Sequence, residues 1–368
     1  MPRSVPLVCL WALATQVASL AVTSAQEAAP KPVDHRNLMV VRDSEGQERP
    51  IQTVADWELR RRQILAGMQL AMGPLPEDSR RVPLDIEVVS EDLTEKYLRR
   101  KIRYTSEPGD RVPAWLLIPH AVVGKVKGAP AMLCLHQTTG IGKDEPAGVG
   151  IRNNLNYGHE LAERGFVCLI PDYPSFGEYP YDFKTQGKEY ASGSMKAIWN
   201  NIRAVDLLLT VPEVHPQRIG VIGHSLGGHN SLFTAMFEPR LRAVVSSCGW
   251  TPFHDYYGGA LAGWTSDRYM PRIRDVYHNS ADEVPFDFNE IVAGLAPRGF
   301  FSNSPTRDEN FDVAGVRKGV DAAKKIYELY GVPDKLRLET PDSAHDFPPE
   351  VRKASYQWLE QQLQPPAP

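Results

Sequence analysis

The stretch that most constrains this chain is Gly223-His-Ser-Leu-Gly227. Before it, Ile219, Val221 and Ile222 form a short apolar, β-branched run, the composition of a strand buried on both faces. After it, Asn230 to Met236 carries the pattern of a helix. A serine on a sharp turn between a strand and a helix is a nucleophile elbow. Glycines two residues to either side leave room where side chains would collide in so tight a turn. The turn lifts the Ser225 hydroxyl clear of the sheet, and the helix N-terminus beneath it favours developing negative charge.

Composition narrows the class. The chain has 368 residues, 42% of them hydrophobic and 23% charged, enough for one large α/β domain. A net charge of -4 gives no basic field for nucleic acid or an anionic membrane. Residues 1–25 read as a cleaved secretory signal: Met1-Pro-Arg3 is a short positive start, Val5 to Val22 is mostly apolar, and Thr23-Ser24-Ala25 is a small-residue cleavage site. Gln16 and Ser19 interrupt the apolar run and no basic stop-transfer patch follows, so the expectation is a secreted or periplasmic protein without a stable membrane span. Beyond Cys9 there are three cysteines, Cys134, Cys168 and Cys248, each in an apolar run, which argues against a disulfide framework. No C-x-x-C, H-E-x-x-H or calcium-loop pattern occurs, so neither metal nor other cofactor is expected.

Residues 26–54 read as a loose lead-in to a main domain over 55–363, with a Pro-rich tail at 364–368. Within residues 55–81, Asp56 to Met72 has helical apolar spacing, stopped by Gly73-Pro74, and is expected on the outside of the domain. Its basic run Arg60 to Arg62 reads as a solvated face. Strands are expected at Asp85 to Ser90, Tyr97 to Thr105 and Val112 to Pro119, the last two joined as a hairpin by Pro108-Gly-Asp110. After Gly128, apolar runs alternate with helical patterns to the end of the domain. That order predicts an α/β fold: a mostly parallel twisted sheet with helices on both faces and an N-terminal antiparallel edge.

A serine hydroxyl needs a base, and the base needs a carboxylate to fix its tautomer. In a sheet of this kind they follow in the order Ser, acid, His, each past the end of a strand. Of the ten histidines, only His254, His278 and His345 follow Ser225 by more than one helix, and only His345 lies between a strand and the last helix. The strand Arg298 to Ser302 leads to Asp308, the favoured acid, with Asp312 and Glu309 as alternatives; Asp312 could equally cap the next helix. Asp172 precedes Ser225 and reads as a loop-fixing residue. Two N–H donors are needed for an oxyanion. Leu226 supplies one, and the loop after the apolar run Ala131 to His136 points to Gln137 for the other. His136, His224 and His229 read as supporting residues.

Together, Leu135-His136, Gly223 to Gly227, Asp308 and His345 resemble the α/β-hydrolase superfamily. The run Ala296-Pro-Arg-Gly-Phe-Phe301, then Asp308 and Phe311, then His345-Asp-Phe-Pro348, is similar to the branch holding dienelactone hydrolases and bacterial acetyl xylan esterases. The similarity spans roughly Val82 to Leu363. It implies the helix-flanked sheet of that superfamily, and a serine carboxylic-ester hydrolase working through an acyl-enzyme. A small-molecule or carbohydrate ester is the implied substrate, with polysaccharide deacetylation as the specific form. The chain departs from dienelactone hydrolases proper in having Ser225 where they carry cysteine, and its loop reads His-Gln-Thr-Thr-Gly in place of the common His-Gly. A peptidase of the superfamily would need a propeller or large cap, for which the chain has no room. A noncatalytic binding module usually loses a member of the Ser-Asp-His set, and all three have occupants here. Residues 250–295 form an aromatic-rich insertion, including Trp250, Phe253, Tyr256, Trp264, Tyr269, Phe286 and Phe288. Two uses stay open for it: lining a pocket, with Tyr173 to Gly177 as the facing wall, or packing the insertion onto the domain.

Overall fold

The apolar runs become strands of one nine-stranded sheet. The computed structural model describes Met1, residues 34–186 and residues 189–365. The signal expected over residues 1–25 therefore lies, apart from Met1, outside the described residues. No helix among the described residues is long and apolar enough to cross a membrane.

A small antiparallel hairpin comes first, β1 (Val40–Arg42) and β2 (Glu48–Pro50). Helix α1 (Val54–Met72) follows, then three antiparallel strands, β3 (Glu87–Leu93), β4 (Tyr97–Glu107) and β5 (Asp110–Pro119). Strands and helices then alternate: β6 (Ala129–Leu135), α2 (Tyr157–Glu163), β7 (Val167–Pro171), α3 (Gly193–Leu208), β8 (Val214–His224), α4 (Leu226–Phe237) and β9 (Leu241–Ser247). Two short helices, α5 (Arg272–Asp275) and α6 (Phe288–Gly294), fall in the aromatic insertion. The chain closes with β10 (Gly299–Asn303), α7 (Val313–Leu329), β11 (Leu336–Glu339) and α8 (Pro349–Gln362).

The strand order is β11-β10-β9-β8-β6-β7-β5-β4-β3. From β7 to β11 the strands run parallel, and β5, β4 and β3 form the antiparallel edge. Both faces of the parallel part are covered, which is why its strands are apolar at successive positions. Leu133, Val221, Val244 and Phe300 join the core under α3, α4, α6 and α7, while their neighbours Cys134, Ile222, Val245 and Phe301 join the core under α2 and α8. From β6 the chain steps to β7 on one side, then returns to β8 on the other. The loops leaving β6 and β8 thus diverge, opening a crevice at their carboxyl ends where α/β sheets hold their ligands. Leu135 and Gly223 are register partners there, so the His136 loop and the Ser225 turn emerge side by side.

Two expectations change. The lead-in is not loose over its described part: the hairpin buries Val41, with Leu38 and Ile51 beside it in the core, and His35 Nδ1 lies 2.8 Å from Glu290. Strands of three residues with charged tips leave little periodic signal, so only packing reveals them. The second change is Arg60, which is 3% exposed and pairs with Glu290 at the start of α6. Helix α1 buries Trp57, Met68 and Met72 completely, and Arg60 lies on that same inward face. A buried carboxylate requires a partner, and Arg60 supplies it; Arg62 stays in solvent.

Candidate active site

Ser225 sits between β8 and α4 with φ 54° and ψ -115°, a left-handed conformation rare for a residue with a side chain. The turn needs both flanking glycines. A Cβ on Gly223 would overlap the Gly227 carbonyl, and one on Gly227 would overlap the Leu135 carbonyl of the neighbouring strand. The turn is held by Ser225 N–H donating to the Ser247 carbonyl at 2.8 Å and by His229 N–H donating to the Ser225 carbonyl at 3.1 Å. The Ser225 hydroxyl makes no capping bond to α4, and Leu226 N–H belongs to the helix's first turn, which has no intrahelical acceptor.

His345 and Asp308 come together 37 residues apart in sequence. The imidazole Nδ1 lies 2.9 and 3.0 Å from the two Asp308 oxygens. A carboxylate only accepts, so Nδ1 carries the proton and Nε2 is left with its lone pair. The Asp308 side chain is 1% exposed, and the N–H groups of Asn310 and Phe311 also donate to it. Backbone bonds from Thr306 N–H to Pro341 (2.9 Å) and from Arg307 N–H to Ser343 (3.1 Å) join the two loops beyond β10 and β11. The His345 ring centroid is 4.9 Å from that of His224, the residue before Ser225, and 6.0 Å from that of Phe311. No hydrogen bond links Ser225 to His345 in the free protein; such contacts commonly tighten only when substrate is bound. Asp312 lies elsewhere: it caps α7 through Ala314 N–H at 2.7 Å. Glu309 is exposed.

Three supports of the His345 loop carry no sequence signal. Asn303 Nδ2 donates to the Asp346 carbonyl at 2.9 Å, Cys248 Sγ donates to the same oxygen at 3.2 Å, and Asn154 Nδ2 reaches the Asp346 carboxylate at 2.7 Å. Cys248 Sγ, an Asp308 oxygen and a His345 nitrogen lie within 4.8 Å of one another. Two of these three groups are already bonded to each other, so the cluster is an extension of the His–Asp pair. Cys134, Cys168 and Cys248 are all buried and free.

The loop after β6 is fixed by His136. Its Nε2 accepts from Tyr173 N–H at 2.9 Å and its Nδ1 donates to the Gln137 carbonyl at 2.6 Å. Burial, aided by Lys143, pushes its pKa down to about 4, so the ring is neutral. A trans peptide sets its N–H opposite its C=O, so the N–H of Thr138 is directed away from His136. Thr138 lines the cavity beside Ser225, whereas the Gln137 side chain is buried with its amide unpartnered. Asp172 accepts from the N–H groups of Lys143 (2.8 Å) and Glu178 (2.9 Å) and fastens this loop to the one after β7.

A cavity of about 170 Å³ opens at Ser225, walled by Thr138, Leu226, His229, Tyr256, Trp264, Tyr269 and Phe311. The insertion therefore does both things left open for it. Tyr256, Trp264 and Tyr269 line the cavity, while Trp250, Phe253, Phe286 and Phe288 are buried in the core behind them. Tyr173 and Phe176 pack against Leu226, with Tyr269 alongside, one layer behind the wall.

Residues 120–257 match the model of the Dienelactone hydrolase family. The fold is the α/β-hydrolase fold. A solved glucuronoyl esterase from Solibacter usitatus superimposes on this chain with a TM-score of 0.69, at 20% identity, covering 91% of this chain and 100% of that one. The Bacillus subtilis (strain 168) protein YtaP, named as a hydrolase, is 23% identical over 79% of this chain and 96% of its own length. A 4-O-methyl-glucuronoyl methylesterase of Schizophyllum commune (strain H4-8 / FGSC 9210) is 23% identical over 79% of this chain and 73% of its own length.

Proposed function

We propose that this α/β-hydrolase is a serine carboxylic-ester hydrolase acting on a carbohydrate ester, with Ser225 as nucleophile, His345 as base and Asp308 as the acid. The observation that carries the reading is the part-buried Asp308–His345 hydrogen bond, together with a cavity that Ser225 lines. Ser225 Oγ attacks the ester carbonyl carbon while His345 Nε2 takes its proton. Asp308 holds Nδ1–H and stabilises the imidazolium. The tetrahedral oxyanion is received by the N–H of Leu226 and by a backbone N–H of the loop after β6, where Gln137 and Thr138 are the candidates and Thr138 is the one that lines the cavity. The alcohol leaves with the proton from Nε2, and water, activated by the same nitrogen, releases the acid from the acyl-enzyme.

The carbohydrate part of the reading is supported by the aromatic cavity wall and by the glucuronoyl esterases among the similar proteins. Deacetylation of a polysaccharide is the finer form, and comparing acetate release from acetylated xylan with hydrolysis of a methyl glucuronate tests it. Export of the protein is part of the same proposal, supported by the apolar run Val5 to Val22 and the small-residue site Thr23-Ser24-Ala25 after it.

The first test is hydrolysis of 4-nitrophenyl acetate by the protein and by its Ser225→Ala form. A loss of about 10³-fold or more is expected. Equal rates in both, with no labelling of the native protein by a fluorophosphonate, would favour the noncatalytic module.

A further inference from the structure

Two buried polar side chains on the cavity wall have no partner. His229 lies one helical turn along α4 from Ser225 and is 4% exposed, yet neither ring nitrogen meets a hydrogen-bonding group of the protein. Trp264 is 3% exposed, and its indole N–H is unpartnered too. Both line the cavity that Ser225 opens into. Their ring centroids are 4.9 Å apart, and the Tyr269 ring lies 5.6 Å from His229.

A buried donor or acceptor left unpaired costs stability, so such groups call for an explanation. Burial alone gives none: His136 is as deeply buried and has both nitrogens bonded. Burial also keeps His229 neutral, its pKa pushed down to about 3. A neutral imidazole offers one donor and one acceptor, the complement of a hydroxyl, and the Trp264 N–H adds a second donor. No residue lining the cavity is Asp, Glu, Lys or Arg, so nothing there would counter the charge of a free carboxylate or phosphate. The faces of Trp264, Tyr256 and Tyr269 suit the C–H faces of a ring.

We infer that His229 and Trp264 form a hydroxyl-reading subsite that selects esters whose neutral ring bears hydroxyl groups next to the ester. The inference rests on the esterase reading above and names the part of the substrate that this wall recognises.

The test compares esters that differ only in ring hydroxyls. One pair is a monoacetylated methyl β-xyloside against the acetate of tetrahydropyran-3-ol; the other is methyl glucuronate glycoside against methyl tetrahydropyran-2-carboxylate. In at least one pair, the wild-type kcat/KM should favour the hydroxylated ester by about 10- to 100-fold, because a site built for hydroxyls rejects analogues lacking them. In His229→Leu and Trp264→Phe that ratio should fall to within about 3-fold of unity, through KM. His229→Gln, which keeps a donor and an acceptor, should retain part of it. Without substrate, His229→Leu should melt at or above the wild-type temperature; a marked fall in Tm would assign His229 a structural role and overturn the inference, as would a ratio unchanged by the substitution. If wild type hydrolyses neither these esters nor 4-nitrophenyl acetate, the esterase reading has failed, and the subsite is judged by methyl β-xyloside quenching of tryptophan fluorescence. Quenching lost in His229→Leu supports it; no quenching in wild type overturns it.

Discussion

On the strand-end side of the cavity, Asp308 and His136 find their partners inside the protein; on the side built by α4 and the aromatic insertion, His229 and Trp264 do not. Asp308 is met by His345 and by two backbone N–H groups, and His136 is bonded at both nitrogens. His229 and Trp264, also buried, have three unbonded polar atoms between them. The difference separates two tasks. Groups that must be aimed before substrate arrives are held by the protein itself, so no reorganisation is needed during reaction. Groups that recognise substrate are left unpaired at a cost in stability, and the ligand supplies the missing bonds.

The comparison breaks most visibly at the acid. Asp308→Asn should lower kcat on 4-nitrophenyl acetate by on the order of 10⁴-fold, since an amide no longer holds the required His345 tautomer. Asp312→Asn should leave the rate intact, because asparagine caps a helix about as well as aspartate. The reverse result would transfer the role to Asp312 and undo the pairing described here. Gly227→Ala should come next in size. Its Cβ meets the backbone of β6, which cannot move without the sheet, so destabilisation of about 3 kcal/mol or more is expected in urea titrations. A fully stable, active Gly227→Ala protein would mean that the turn is looser than the packing shows.

The smallest effect concerns pH and sharpens the contrast. The pKa values of His136 and His229 are depressed in the folded state to about 4 and about 3, chiefly by burial. Their unfolded-state values are near 6.5. The stability that comes from keeping them neutral is fully present above pH 6.5 and is lost as pH falls toward those folded values. Each group contributes a slope of up to ~1.4 kcal/mol per pH unit in that window. Urea titrations at pH 7.5 and 5 should show the loss, and His229→Leu should remove one group's share. An unchanged slope in His229→Leu would mean that its imidazole is already charged in the folded protein.

Much of the fold was legible because its signals are local. The strand–turn–helix around Ser225 is written in a dozen consecutive residues, and alternating apolar runs announce a sheet covered on both faces. Edges of elements moved by a few residues, as with α4, which starts at Leu226 once the turn is drawn. The candidate site was partly legible for a similar reason: chain order and strand ends single out His345 among ten histidines. Among Asp308, Glu309 and Asp312 the sequence favours Asp308 without deciding, since all three share one loop and only packing shows Asp308 turned onto His345. Whether Gln137 or Thr138 presents its N–H to the cavity depends on the direction of a peptide plane, which has no signature in residue type.

What the sequence by itself determined is the framework, because strand burial, helix periodicity and the glycines of the elbow act over neighbouring residues. What only the tertiary structure decided are pairings between distant parts of the chain. Arg60 and Glu290 are 230 residues apart, and His35 and Glu290 are 255 apart. An arginine on a helix reads as solvated until a buried carboxylate is brought against it. Likewise His229 reads as a supporting residue, and Trp264 as either pocket wall or packing, until the fold leaves both without a partner on the wall beside Ser225. Burial and hydrogen bonding are properties of the assembled surroundings, so residue types along the chain cannot specify them alone.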